Sequence, residues 1–143
     1  MNVAHILATK GRETVTITGE RTLADAIRTL REKRIGAVVV VDAGGAVEGI
    51  MSERDVVAAL ADAGGAALDE PVSARMTRKV VTCTSVAEIP ELMSLMTDGK
   101  FRHVPVVEDG RLGGVVSIGD IVKHRLAEVE AEHRALRDYI ATA

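Results

Sequence analysis

The chain has 143 residues, 47% hydrophobic and 27% charged, with a net charge of −3. That is an ordinary globular balance at the length of one domain, or of two small units sharing a core. No dense Lys/Arg cluster supports nucleic-acid binding, no apolar run approaches the ~18 residues of a membrane span, and no secretory apolar stretch opens the chain, so a cytosolic protein without nucleic-acid or membrane partners is expected.

Taken in order, Val3-Ala4-His5-Ile6-Leu7 predicts a short amphipathic helix closed by Lys10-Gly11. Thr14 to Thr18 is short and β-branched, a strand. After a turn at Gly19-Glu20-Arg21, Thr22 stands where an N-cap belongs. It precedes a helix with Leu23, Ala26, Ile27 and Leu30 on one face, closing at Lys33-Arg34-Ile35-Gly36. Ala37 to Val41 is a continuous apolar run, as in a strand covered on both faces. Asp42-Ala43-Gly44-Gly45 turns the chain and Val47 to Met51 returns as a strand. Ser52 then caps a helix to about Ala63, with Val56, Val57 and Leu60 expected to face inward.

Gly64 to Pro71 connects the halves, and Val72 to Met76 is a short helical piece. Val80 to Cys83 predicts a strand. The next helix presents Ile89, Leu92, Met93 and Met96, with Pro90 in the first turn, where a missing N–H costs least. Val104 to Val107 and Leu112 to Ser117 predict a second hairpin, with Pro105 at a strand start or edge. From Asp120 a longer helix reaches about Ile140. It carries Leu126, Val129, Leu136 and Ile140 on one stripe, and Glu130 and Arg134 as an i,i+4 pair in the favoured order. Such a tail covers a core edge or meets a partner subunit.

The order of elements is a duplication. Gly49-Ile50-Met51-Ser52-Glu53-Arg54-Asp55 returns as Gly114-Val115-Val116-Ser117-Ile118-Gly119-Asp120, 65 residues on. Earlier in the unit the offset is 66: Thr16-Ile17-Thr18 matches Thr82-Cys83-Thr84, and Val38, Val40 and Val41 match Val104, Val106 and Val107. The residue lost between them falls in the hairpin turn, where length changes are tolerated. Each unit alone, at roughly 60 residues, buries a marginal core, so the halves are expected to pack on each other.

Ser followed three residues later by Asp is first of all a capping box, which requires no ligand. Three features point beyond it, to a ligand. A strand ends and a helix begins at each Ser, and a helix N-terminus attracts anions. Aspartate is a short acid suited to ribose hydroxyls. Basic residues precede the central strands, Lys33-Arg34 in one half and Lys100, Arg102 and His103 in the other, and Arg suits phosphate best.

The twice-occurring order strand-helix-strand-strand-helix, with Gly-h-h-Ser-x-x-Asp opening each last helix, resembles a tandem pair of cystathionine-β-synthase (CBS) domains, the Bateman module. Ile35-Gly36-Ala37-Val38-Val39-Val40-Val41-Asp42, Phe101-Arg102-His103-Val104-Pro105-Val106-Val107, Ser52-Glu53-Arg54-Asp55 and Arg75-Met76-Thr77 also look like that family, over about residues 3 to 126. The resemblance implies an α/β (α+β) fold of two β-α-β-β-α repeats packed by pseudo-twofold symmetry, with a short N-terminal helix and an extended C-terminal helix. Its expected limits are residues 1–66 and 67–126 for the repeats and 127–143 for the tail.

The resemblance also implies two clefts for adenosyl ligands such as AMP, ADP, ATP, NAD(H) or S-adenosylmethionine. One would use Ser117, Gly119 and Asp120 with Thr16, Thr18, Ile35, Gly36 and Ala37. The other would use Ser52, Arg54 and Asp55 with Val80, Val81, Thr82, Arg102 and His103. The carboxylates would hold ribose, backbone groups at Thr16 to Thr18 and Val80 to Thr82 the adenine edge, and Arg102, His103 or Arg54 phosphate. The chain departs from the family at Thr84-Ser85-Val86-Ala87-Glu88, where a Pro-Asp turn and a small N-cap are usual.

The implied function is a regulatory nucleotide-binding module, homodimeric, acting on a separate effector protein. The alternative is a ligand-free homodimeric scaffold of the same fold, its Ser/Asp pairs only capping helices. An enzyme is not expected. The lone Cys83 has no assignable His/Asp partner, excludes an intrachain disulfide or cysteine metal site, and reads as a small core residue. His103 lacks a second metal ligand at suitable spacing. No dinucleotide-binding glycine fingerprint or P-loop lysine is present. With one Phe and one Tyr, a bound base would rest mainly on aliphatic groups.

Overall fold

The computed structural model describes residues 2–142. The first half runs α1 (Val3–Lys10), β1 (Thr16–Thr18), α2 (Leu23–Lys33), β2 (Ala37–Val41), β3 (Val47–Ser52) and α3 (Glu53–Ala63). Two 3-10 turns, Gly64–Asp69 and Val72–Ala74, lead to α4 (Ile89–Gly99), β4 (His103–Glu108), β5 (Arg111–Ser117) and α5 (Ile118–Thr142). β2 is the middle strand of the first sheet, parallel to β1 and antiparallel to β3, which is why its run of valines is buried. β4 and β5 form the second hairpin.

The duplication is legible in detail. Register shifts fall between Val40 and Val41 and between Val106 and Val107. α2 and α4 are each followed by a left-handed residue, Arg34 at φ 55° and Lys100 at φ 56°. Glu53 N–H donates to the Gly36 carbonyl at 3.0 Å, and Ile118 N–H to the Arg102 carbonyl at 2.8 Å.

Residues Val80 to Cys83 do not form the expected strand. Only Cys83 bridges β4, in parallel, its N–H donating to the Pro105 carbonyl and its carbonyl accepting from Val107 N–H. The next bond of that ladder would run from residue 105 to the Val81 carbonyl, and Pro105 has no N–H to give. Val39, its counterpart in the first half, carries one and pairs with Thr16.

Two cores fill the molecule. One joins Ile17, Leu23, Leu30, Val38, Val40 and Met51 with Val72 and Met76; the other joins Leu92, Met96, Val104, Val106, Val116 and Ile121 with Val3, Ile6 and Leu7. α1 therefore packs on the second half, although it precedes the first in sequence. Likewise the segment preceding the second half, Val72 to Thr77, packs on the first. On α3 the buried residue is Ala59, with Val56 half-buried, while Val57 and Leu60 are exposed, against expectation. Met93 on α4 is also exposed. In both helices the apolar stripe is broader than the face the core covers.

Candidate functional site

Two glycines at corresponding positions decide what reaches each Ser-x-x-Asp. A Cβ on Gly49 would stand 2.6 Å from Met76 Sδ and 2.8 Å from the Thr77 carbonyl oxygen. The bare backbone lets Thr77 bridge β3, exchanging both N–H···O bonds with Ile50 at 2.9 Å. Thr77 is thereby carried to the mouth of α3, where its hydroxyl donates to Asp55 Oδ1 at 3.0 Å. At Gly114 the visitor is instead Leu7 of α1, whose Cδ2 would lie 2.7 Å from an added Cβ. One turn further along α1, Lys10 Nζ meets Asp120 Oδ2 at 2.6 Å and the Val115 carbonyl at 2.7 Å.

Both motifs form capping boxes. Ser52 N–H donates to Asp55 Oδ2 at 2.9 Å and Asp55 N–H to Ser52 Oγ at 3.3 Å; at α5 the corresponding distances are 2.9 and 3.1 Å. Their surroundings differ. Burial pushes the Asp120 carboxyl up, yet Lys10 and Ser117 together outweigh it, and the group titrates below the usual aspartate range. Asp55 meets a neutral hydroxyl rather than an ammonium.

Asp55 lines an open cleft of about 380 Å³ between the halves, within the range of small-molecule sites. Ser52, Glu53, Arg54, Asp55, Ile50, Gly36 and Ala37 come from the first half and its hairpin. Thr77, Lys79, Val80 and Val81 come from the connecting segment, and Gly99, Lys100, Phe101, Arg102 and His103 from the second half. Four cations, Arg54, Lys79, Lys100 and Arg102, face two carboxylates, Glu53 and Asp55, so the cleft favours an anion. Arg54 Nη1 donates to the Lys100 carbonyl at 3.2 Å, tying α3 to the turn before β4. A Cβ on Gly36 would come 3.2 Å from His103 Cε1, so the two approaches to the central strands touch. Burial above all, then Arg102 and Lys10, holds the His103 imidazole below its ordinary value, against the opposing pull of Asp120 and Glu53.

Of the residues singled out from sequence, Ser52, Arg54, Asp55, Val80, Val81, Arg102 and His103 thus share one cleft, joined by Gly36 and Ala37, which the sequence set beside Asp120. Thr16, Thr18, Ile35, Thr82, Ser117, Gly119 and Asp120 do not line it. Thr16 and Thr18 stand on β1 and Ile35 packs against the first core. The sequence reading missed Lys79, Ile50 and the site role of Thr77. Thr77 was within reach, since Gly49 signals a close backbone visitor. The single Phe, Phe101, lines the cleft, so an aromatic surface is available after all. Among the described residues no group of three or more His, Cys, Asp or Glu is placed to hold a metal ion, and no helix is long and apolar enough to cross a membrane.

A family model described as the CBS domain matches residues 3–62 and again 72–127. The CBS domain-containing protein CBSX3, mitochondrial, of Arabidopsis thaliana is 32% identical over 96% of this chain and 71% of its own length. The CBS-domain containing protein ATU1752 of Agrobacterium tumefaciens has a crystal structure that superposes with a TM-score of 0.85 at 49% identity, covering 87% of this chain and 99% of that one. The CBS domain pair of protein MJ0100, crystallised in complex with 5'-methylthioadenosine and S-adenosyl-L-methionine, superposes with a TM-score of 0.77 at 26% identity over 86% of this chain and 98% of that one.

Proposed function

The chain belongs to the CBS domain family, and from that premise we propose that it is a regulatory module that binds an adenosyl ligand in the cleft beside Asp55 and passes the signal to a separate effector protein. The observation that carries the reading is the pairing, in one 380 Å³ cleft, of a helix-mouth aspartate with four cations from both halves. A ribose diol suits Asp55, whose Oδ2 completes the cap while Oδ1 takes only the Thr77 hydroxyl. Phosphate suits Arg102, Lys100, Lys79 and Arg54, and the adenine suits the Val80-Val81 backbone with Ile50 and Phe101 beside it. AMP, ADP, ATP and NAD all carry the phosphate that this charge balance favours. S-adenosylmethionine carries a sulfonium in its place and is the weaker candidate. The homodimer and a cytoplasmic setting belong to the same reading.

The site expected beside Asp120 is the less available of the two. Asp120 is already engaged by Lys10, so a ligand there must displace an ammonium or recruit it to a phosphate. Calorimetry with AMP, ATP and NAD tests the assignment. One tight site per chain is expected, lost in Asp55→Ala and kept in Asp120→Ala. Unchanged affinity in Asp55→Ala overturns the ribose assignment.

One observation favours the ligand-free scaffold instead: both Ser/Asp pairs are complete helix capping boxes, each carboxylate and hydroxyl serving a backbone N–H of its own motif. A thermal-shift panel separates the readings. A ligand at 100 times its Kd adds about 2.7 kcal/mol of apparent stability, and no shift with any nucleotide favours the scaffold.

A further inference from the structure

α5 runs 25 residues, well past the hairpin it caps, and from Val129 on the helix is exposed on every side. Its exposed apolar residues are not scattered. Val122, Leu126, Val129, Leu136 and Ile140 are all more than half exposed, and with His133 they recur at alternating steps of four and three. A 3.5-residue period is the seam of a coiled coil, whose partner must be a helix of the same period. The residues flanking the seam say which helix and in which direction. Val122, Val129 and Leu136 take the d positions and Leu126, His133 and Ile140 the a positions, which puts Arg125 and Glu132 at g and Glu130 and Arg137 at e.

We propose that α5 from Val122 onward pairs with the same helix of a second copy of this chain as a parallel, in-register, two-stranded coiled coil. In that arrangement each g residue faces the e residue five positions on in its partner. Arg125 then meets Glu130 and Glu132 meets Arg137, attractive in both cases and made twice by symmetry. The antiparallel alignment that matches every layer sets Glu130 against Glu130, Glu132 against Glu132 and Lys123 against Arg137, all repulsive. The chain is thus complementary to itself in one direction only. His133 forms the one polar layer, and a polar layer penalises slipped registers. The seam is short, about 28 Å at ~1.5 Å per residue, so the pairing is concentration-dependent. It stands independently of the nucleotide reading.

Disulfide trapping in the full chain tests it. In a Cys83→Ser background, Leu136→Cys is expected to form an interchain disulfide rapidly at micromolar protein, and the neighbouring Ala135→Cys, off the seam, is not. Adding Glu132→Arg is expected to slow trapping at position 136 about tenfold, the scale of two reversed flanking ion pairs, and Glu132→Arg with Arg137→Glu to restore it. Equal trapping at 135 and 136, or none at 136, overturns the pairing. Trapping at 136 that ignores Glu132→Arg, or that the double exchange fails to restore, overturns the parallel direction. None of these changes touches the cleft, so calorimetry with AMP reads the nucleotide proposal separately.

Discussion

His103 shows how one residue's surroundings convert into a measurable pH dependence. Its folded-state affinity for protons is lowered from the ordinary 6.5, by burial first and by Arg102 and Lys10 next. The unfolded chain takes up a proton there before the folded chain does. The resulting stability is fully present above pH 6.5 and is lost as pH falls through the lowered folded value. Thermal melts at pH 7.5 and pH 5 are expected to show a larger loss for the wild type than for His103→Gln. A bound phosphate reverses the balance, because an anion beside the ring favours its protonated form. Affinity for NAD, whose phosphates keep their charge across this range, is therefore expected to rise from pH 8 to pH 6 in the wild type and to stay flat in His103→Gln. Cys83 illustrates the inert case. Burial, with Glu91 adding, pushes its thiol up to about 11, consistent with a small packing residue rather than a nucleophile.

Among the elements, β3 and β5 carry the same glycine and yet hold different visitors. Gly49→Ala forces Met76 and the hydrogen-bonded Thr77 carbonyl away from β3. It is expected to cost about 1–3 kcal/mol, the range of overpacking, and to weaken ligand binding by withdrawing Thr77 from Asp55. Gly65→Ala, where an added Cβ meets nothing within 4 Å, is the neutral control; denaturant unfolding of the pair checks the difference. The missing strand before α4 belongs to this scale as well. The β-branched pattern of Val80 to Thr84 was legible, but a strand is a pairing, and Pro105 on the partner lacks the N–H that would prolong it. On α3, periodicity marked Val57 and Leu60 as apolar without saying how much of the stripe this core would cover.

For the molecule as a whole, the decisive feature is the exchange of leading segments, α1 onto the second half and Val72 to Thr77 onto the first. Leu7 lies buried against Gly114 at the centre of this exchange. Leu7→Ala is expected to cost about 2–5 kcal/mol, read by denaturant unfolding, and to loosen the Lys10–Asp120 pair one turn away. The family, the duplicated order of elements, the two capped helices and the Ser52, Arg54, Asp55, Arg102 and His103 part of the Asp55 cleft were legible in the residues, because repeats, caps and turn glycines are local patterns that the chain writes along itself. The sequence left open which half each leading segment joins and that Lys10 closes on one aspartate while Thr77 leaves the other open, and it set Gly36 and Ala37 beside Asp120 although they line the Asp55 cleft, Gly36 against His103. Those are contacts between residues far apart in the chain, and no local periodicity encodes them; they exist only once the two cores have packed and brought one half's hairpin within reach of the other's leading segment.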